Sequence, residues 1–451
     1  MMINFQLSGR RKIMILKWIL FGLMSLSLLY KVVTYQIIWK QRKKPLPKEV
    51  SDIYDAKRYQ QFIEYKKDYR ISYFISIVVP YIYSCCIIFS DFYCWIDRLT
   101  DGNVYMIFLL TFLIQTVLET LFNLMIHYYD TFYIEEKYGL NKKDKKEFFK
   151  DFGIDFLTNQ TVLVCFIFLI IFICEHLGKW TNNFQFTYIQ ALLICIAIAA
   201  VFASFMLFAS LISLFALKKQ YTFTELEDGE LKDKINELQK NAKKQVKHIQ
   251  VYDESKKSNS KNAFLLKLLW HREFGIADNF LNENSMRELL AVLSHEIGHL
   301  KHQKNIFNYA RYVLGIFFVL LLAWLLSHIQ ILLNFNQWIN QSFSLQYNNY
   351  YLMMLVITNL LNPLLSILII FRNYVSRLEE KEADYHAVDQ GYGQELITTF
   401  KNVSSDELMD VNPSSIIEFL EYDHPGMYQR IKYIEERIKY NENRKEDNNA
   451  C

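Results

Sequence analysis

The sequence predicts a mostly α-helical membrane protein with about seven transmembrane helices and a small soluble domain of zincin type. Three observations predict it. Seven long apolar runs are separated by loops that alternate between strongly charged and nearly uncharged. Breakers are scarce, with 13 Gly and 6 Pro in 451 residues, of which 52% are hydrophobic. An HExxH stretch, His295 to His299, lies in a long charged segment between the fifth and sixth runs.

A helix that spans a bilayer needs roughly 20 apolar residues. Runs near 13–34, 72–97, 104–127, 161–178, 187–217, 306–334 and 350–371 qualify, 161–178 only marginally. The first is too long for a signal-peptide core, and no small-residue cleavage site follows it. Residues 35–71, 128–160, 218–305 and the tail from 372 carry the charge, whereas the loop near 335–349 has no charged residue. Excess Lys and Arg marks cytoplasmic loops, which puts these charged regions on the cytoplasmic side. Arg10, Arg11 and Lys12 point the other way and are outweighed by the three larger basic regions. In the third span Gln115, Glu119, Asn123 and His127 recur every four residues and share a helix face. Such a stripe either packs against another helix or faces water.

In the soluble part, residues 226–247 read as an amphipathic helix. Residues 248–252 and 262–266 read as two short strands paired in a β-hairpin, joined by a polar turn at 253–261. Residues 441–451 (NENRKEDNNAC) read as a disordered end. The chain thus divides into an N-terminal membrane region (1–217), a cytosolic segment with the HExxH helix (218–305), the last two spans (306–371), a C-terminal segment (372–440) and that end (441–451).

A net charge of +3 gives no case for nucleic-acid binding. Six of the seven cysteines lie in or beside apolar runs and the seventh is Cys451, so no spacing reads as a disulfide framework or a cysteine metal site.

The HExxH residues point to metal chemistry only on a helix. Residues 286–293 are good helix formers, and residues four apart share a face. His295 and His299 then aim two imidazoles at one spot with Glu296 beside them, the arrangement of two metal ligands and a general base. A third ligand is required. His302 is close in sequence, but three ligands on one straight helix at these offsets do not converge. Glu380 and Asp384 also share a helix face, and two spans separate them from His299, so they lie on the same side of the membrane. One of these carboxylates can bind the metal while the other accepts a ring N–H.

At this point the chain resembles the type I CAAX prenyl proteases, multispanning zinc endopeptidases. The likeness rests on residues 56–59 (AKRY), 129–141 (YDTFYIEEKYGLN), 226–231 (LEDGEL), 258–264 (SNSKNAF), the HEIGH helix, 376–384 (SRLEEKEAD), and Asp423-His424-Pro425 with Arg430, all in family order. It implies seven transmembrane helices around a hydrated chamber, with one zinc per chain in a cytosolic domain. It implies Glu296 as base, His295, His299 and Glu380 as zinc ligands, and Asp384 as a second catalytic acid. Asn262 and His424 would contact substrate, and Arg430 would hold local structure. The implied partners are the lipid bilayer and prenylated CAAX proteins or peptides. Their last three residues are removed, in some members with a second upstream cut. The implied location is the endoplasmic reticulum membrane or the nuclear envelope.

The chain departs from the family pattern at Leu300 after the HEIGH motif, at Leu378, Glu379, Lys381 and Glu382, and at Lys267 and Arg272-Glu273. These positions bear on substrate preference more than on the metal site. Two rival readings remain: a membrane zinc protease of protein quality control, and a non-catalytic membrane scaffold holding a structural zinc.

Overall fold

Long helices carry the membrane part, and a four-stranded mixed sheet with its own helices carries the soluble part. The computed structural model describes residues 2–181, 187–240, 245–246, 248–268, 271–301 and 306–450. In chain order the helices of the first half are α1 (Met2–Gln41), α2 (Ala56–Phe89), α3 (Phe92–Leu99), α4 (Val104–Tyr129), α5 (Lys145–Thr181) and α6 (Tyr188–Gln220). The soluble segment follows with β1 (Phe223–Glu225), α7 (Glu230–Leu238), β2 (His248–Tyr252), β3 (Ala263–Leu268), β4 (His271–Ala277), α8 (Asp278–Glu283) and α9 (Met286–Lys301). The rest is α10 (Ile306–Ser327), α11 (Ile329–Phe343), α12 (Tyr350–Asp389), α13 (Gly393–Asp406), α14 (Ser415–Glu421) and α15 (Met427–Ala450).

Six described helices are long and apolar enough to cross a membrane, seven spans if one bent pair counts as a span. The bent pair is the expected sixth span. Its two arms meet at 79° around Ser327 and His328. There the Ser327 hydroxyl donates to the Trp324 carbonyl (2.7 Å), and His328 Nδ1 lies 2.9 Å from the same oxygen. Local side-chain bonds of this kind compete with the helix ladder and bend it.

Several helices overshoot the bilayer. Helix α12 has 40 residues, about 60 Å, whereas its apolar part ends near 371. The border expected at 371/372 therefore falls inside one helix. Residues 372–389 leave the membrane as a rigid continuation and carry Glu380 and Asp384 into the soluble domain.

The sheet order is β1-β2-β4-β3, with β2 and β4 parallel and the other pairs antiparallel. Both expected strands form, but they do not pair with each other. The unforeseen β4 lies between them, and the hairpin is β3–β4. Strand β4 is central and buried along Glu273–Ala277, so it lacks the polar–apolar alternation that marks a strand. At Gly275 a β-carbon would overlap the ring of its cross-strand partner Phe264, so the glycine makes room for the aromatic.

Two further expectations are corrected. Of the helix expected over 226–247, the described residues form α7, and 241–244 and 247 lie outside the described residues. Beyond α7 the Gln239 side chain accepts from Val246 N–H (2.8 Å) and donates to the Val246 carbonyl (3.0 Å). The end expected to be disordered continues α15 to Ala450, with Cys451 outside the described residues. Asp389 anchors that helix through two bonds from Arg437 (2.9 and 2.8 Å) and one from Asn441 (2.9 Å). The Glu, Arg and Lys residues that follow are strong helix formers.

The polar stripe of α4 has two roles. Gln115 accepts from the Tyr351 hydroxyl of α12 at 2.8 Å, a helix–helix contact. Asn123 and His127, two turns on, line a cavity of about 400 Å³ between α4 and α5.

Candidate metal centre

Helix α9 starts at a capping box. Glu288 accepts from Ser285 N–H (2.8 Å) and the Ser285 hydroxyl accepts from Glu288 N–H (3.3 Å). Its apolar residues Leu289, Leu290, Leu293, Ile297 and Leu300 are buried and fix the helix against the sheet. The face left over points at α12. The two helices touch at Gly298, where a β-carbon would lie 2.8 Å from the Ala383 α-carbon. Glycine in a helix interior costs about 1 kcal/mol relative to alanine; here it allows the close crossing that brings α12 carboxylates to α9 histidines.

Three side chains converge at that crossing: His295, His299 and Glu380. The two Nε2 atoms are 3.2 Å apart. Glu380 Oε1 is 3.2 Å from His299 Nε2, and Oε2 is 3.5 Å from His295 Nε2. Tetrahedral ligands at about 2.0–2.1 Å from a zinc ion would stand roughly 3.3 Å from one another, so the donor set fits. Burial opposes the Glu380 charge, but bonds to His295 and His299 outweigh it and hold the carboxyl well below the usual range. Glu296 follows His295 on α9 and is half-buried.

Asp384 lies behind the first ring. Its Oδ1 is 2.7 Å from His295 Nδ1, the nitrogen that faces away from Glu380. Arg430 grips Asp384 with two bonds (2.9 and 2.7 Å), and the Tyr433 hydroxyl adds a third (2.5 Å). Burial would raise the Asp384 carboxyl, but Arg430 and His295 hold it down at about 2. Asp384, which the resemblance would make a second catalytic acid, is fully buried and meets Nδ1 of His295, a contact through which a carboxylate can orient the ring.

Of the other expected residues, His424 reaches the site, with Nε2 3.4 Å from Glu380 Oε1, and is 58% exposed. Arg430 is buried and bonded to Asp384. Asn262 is exposed just before β3, its carbonyl accepting from Ala277 N–H (2.9 Å); no described contact joins it to the three donors. His302 lies outside the described residues. Sequence reading missed Tyr433, although it stands one turn after Arg430 on the same face of α15. It also missed His386, whose Nδ1 lies 2.9 Å from the Ser294 carbonyl and ties α12 to α9.

Residues 35–223 match the family model "CAAX prenyl protease N-terminal, five membrane helices", and residues 225–438 match "Peptidase family M48". "Probable CAAX prenyl protease 1" of Schizosaccharomyces pombe is 27% identical over 433 residues, covering 89% of this chain and 84% of that protein. "CAAX prenyl protease 1" of Saccharomyces cerevisiae is 28% identical over 344 residues, 71% of each chain. The crystal structure of S. mikatae Ste24p superposes with a TM-score of 0.71 at 22% identity, covering 93% of this chain and 99% of that one, a likeness of fold.

Proposed function

The chain belongs to peptidase family M48, in its CAAX prenyl protease branch, and from that premise we propose that this multi-pass membrane metallopeptidase removes the C-terminal tripeptide from prenylated CAAX proteins. The observation that carries the reading is the donor set His295, His299 and Glu380, with spacing that suits zinc, the last of them on α12, whose apolar part is long enough to cross a bilayer. A prenylated C-terminus is held at the membrane surface by its lipid, and this site lies within one helix of that surface.

His295, His299 and Glu380 would hold the zinc. Zinc bound there supplies Lewis acidity toward a water and the scissile carbonyl. Glu296 takes the proton of the attacking water and returns it to the leaving amine. Asp384, itself fixed by Arg430 and Tyr433, keeps His295 in the orientation that presents Nε2. His424 projects beside Glu380 and is placed to donate a hydrogen bond to the developing oxyanion. Strand β3 is an edge of the sheet, so a substrate backbone can pair along it, with Asn262 at its start. The setting is the endoplasmic reticulum membrane or the nuclear envelope.

The test is cleavage of a farnesylated CAAX peptide by the purified protein, with and without a metal chelator. The expected result is release of the tripeptide, abolished by chelation and restored by zinc. Equal cleavage of the unprenylated peptide favours a quality-control protease, and zinc binding without any cleavage favours a scaffold.

A further inference from the structure

Outside the candidate metal centre, the soluble-domain ends of α5 and α6 meet the sheet around a cleft of about 830 Å³. Six lysines line it, Lys142, Lys150, Lys218, Lys219, Lys256 and Lys257, against the carboxylates Asp144, Glu147 and Asp253. Those carboxylates are already engaged. Glu147 pairs with Lys150 at 3.0 Å and Asp253 with Lys256 at 2.7 Å. Asp144 accepts from Glu147 N–H at 2.7 Å. Lys257 is held by the buried Asp151 at 2.8 Å. Lys218 reaches Glu273 only at 3.4 Å and is 40% exposed. Among the described residues, Lys142 and Lys219 have no carboxylate at ion-pair distance. The cleft therefore presents the ammoniums of Lys142 and Lys219, and the loosely held one of Lys218, in a concave, walled space.

Its height relative to the membrane is set by one contact. Gln220, the last residue of α6, donates to Asp155 at 2.5 Å, six residues before the apolar run of α5 begins near 161. Lys218 and Lys219 thus stand at the membrane border. Lys219 Nζ lies 5.4 Å from the ring of Phe215, which is exposed on the apolar stretch of α6. Lys150 is five residues further out, about 8 Å along α5. The cleft spans the depth of a lipid headgroup, and its inner end opens beside apolar helix surface.

We propose that this cleft binds a phosphomonoester-bearing lipid headgroup of the adjoining leaflet, a polyphosphoinositide or a lipid of the same chemistry. Lysines clustered at the ends of transmembrane helices recruit such headgroups. The mixture of lysine ammoniums at several heights suits more than one phosphate. The apolar wall beneath Lys219 takes the start of the acyl chains.

The full-length protein in detergent is titrated with a short-chain phosphatidylinositol bisphosphate, with inositol trisphosphate, with inorganic phosphate and with a hexa-aspartate peptide. The short-chain lipid is expected to bind at least tenfold more tightly than the other three. Each lysine near an anionic lipid contributes about a fivefold gain in affinity. The triple variant Lys142→Gln, Lys218→Gln, Lys219→Gln should therefore lose about 100-fold, while the three Lys→Arg replacements retain binding. Peptidase activity measured in detergent reports that each variant is folded. If the Gln variant does not fold, the salt dependence of lipid binding to the parent protein decides, because affinity must fall as salt rises. Unchanged lipid affinity in the folded Gln variant, salt-independent binding, or equal affinity for inositol trisphosphate, inorganic phosphate or the acidic peptide overturns the proposal.

Discussion

Adding one methyl group at Gly298 tests how the metal centre is assembled. A β-carbon there would sit 2.8 Å from the Ala383 α-carbon and 3.2 Å from the Ala383 β-carbon and carbonyl oxygen. Carbon atoms rest comfortably at about 3.5–4.0 Å, so α9 and α12 must part by roughly 1 Å. Two of the close atoms are backbone, and no rotamer change relieves them. The donor set is divided across this contact, with His295 and His299 on α9 and Glu380 on α12. The separation therefore widens the 3.2 and 3.5 Å gaps between carboxylate and imidazoles. Overpacking costs about 1–3 kcal/mol, and alanine recovers about 1 kcal/mol of helix propensity, so Gly298→Ala stays folded. A displacement on this scale at reacting groups costs about 10²-fold in rate. Metal content and turnover on farnesylated peptide, measured on one preparation, should show weaker zinc retention and turnover down about 100-fold. Adding Ala383→Gly removes only the β-carbon contact and should restore a minor part. Full zinc and turnover within threefold of the parent would refute the close crossing as the source of the site's geometry.

Glu296→Gln keeps size and loses basicity, so zinc content and thermal stability should match the parent while turnover falls about 10²–10⁴-fold. Loss of zinc in that variant would make Glu296 a ligand. Glu380→Ala should leave well under one zinc per chain by elemental analysis, whereas His302→Ala should keep it; the reverse pattern sinks the ligand assignment. Arg430→Leu strands the buried Asp384 carboxylate and should destabilise the fold by about 3–5 kcal/mol, read as a lowered melting temperature. Arg430→Lys should recover only part, since an ammonium cannot make both bonds of the fork. Of the three glycosylation sequons, at Asn159, Asn340 and Asn402, only Asn340 lies on the lumenal side in the topology read from lysine distribution. A glycan on Asn159 or Asn402 in microsomes overturns that topology.

The spans were legible because a run of about 20 apolar residues has few other uses. The two candidate histidine ligands were legible because helical spacing alone aligns them. Glu380 became a candidate through the parity of the spans, before any geometry. What escaped was decided in three dimensions. Strand β4 is buried on both faces and holds Glu273 and Gly275, so it carries no periodic signal. The bend at Ser327 and His328 falls inside a continuous apolar stretch, where hydropathy does not register it. Asp384 reads in sequence as a carboxylate near the metal. Only the structure shows that it meets Nδ1 rather than Nε2 of His295. Gly298 stands inside the motif, yet the sequence does not say that Ala383 is the surface pressed against it.

Helix α12 runs unbroken from Tyr350 to Asp389, with Pro363 inside its apolar part. A proline cannot donate to the carbonyl four residues before it, which softens the rod at that point. From Pro363 to Glu380 is 17 residues, about 26 Å of helix. A swing of roughly 2° about the proline carries the Glu380 carboxylate through about 1 Å. Transmembrane helices answer a change in bilayer thickness by tilting. The Glu380 carboxylate is thus mounted on a lever whose fulcrum lies within the apolar part of α12, so a change of tilt at Pro363 alters its reach toward His295 and His299.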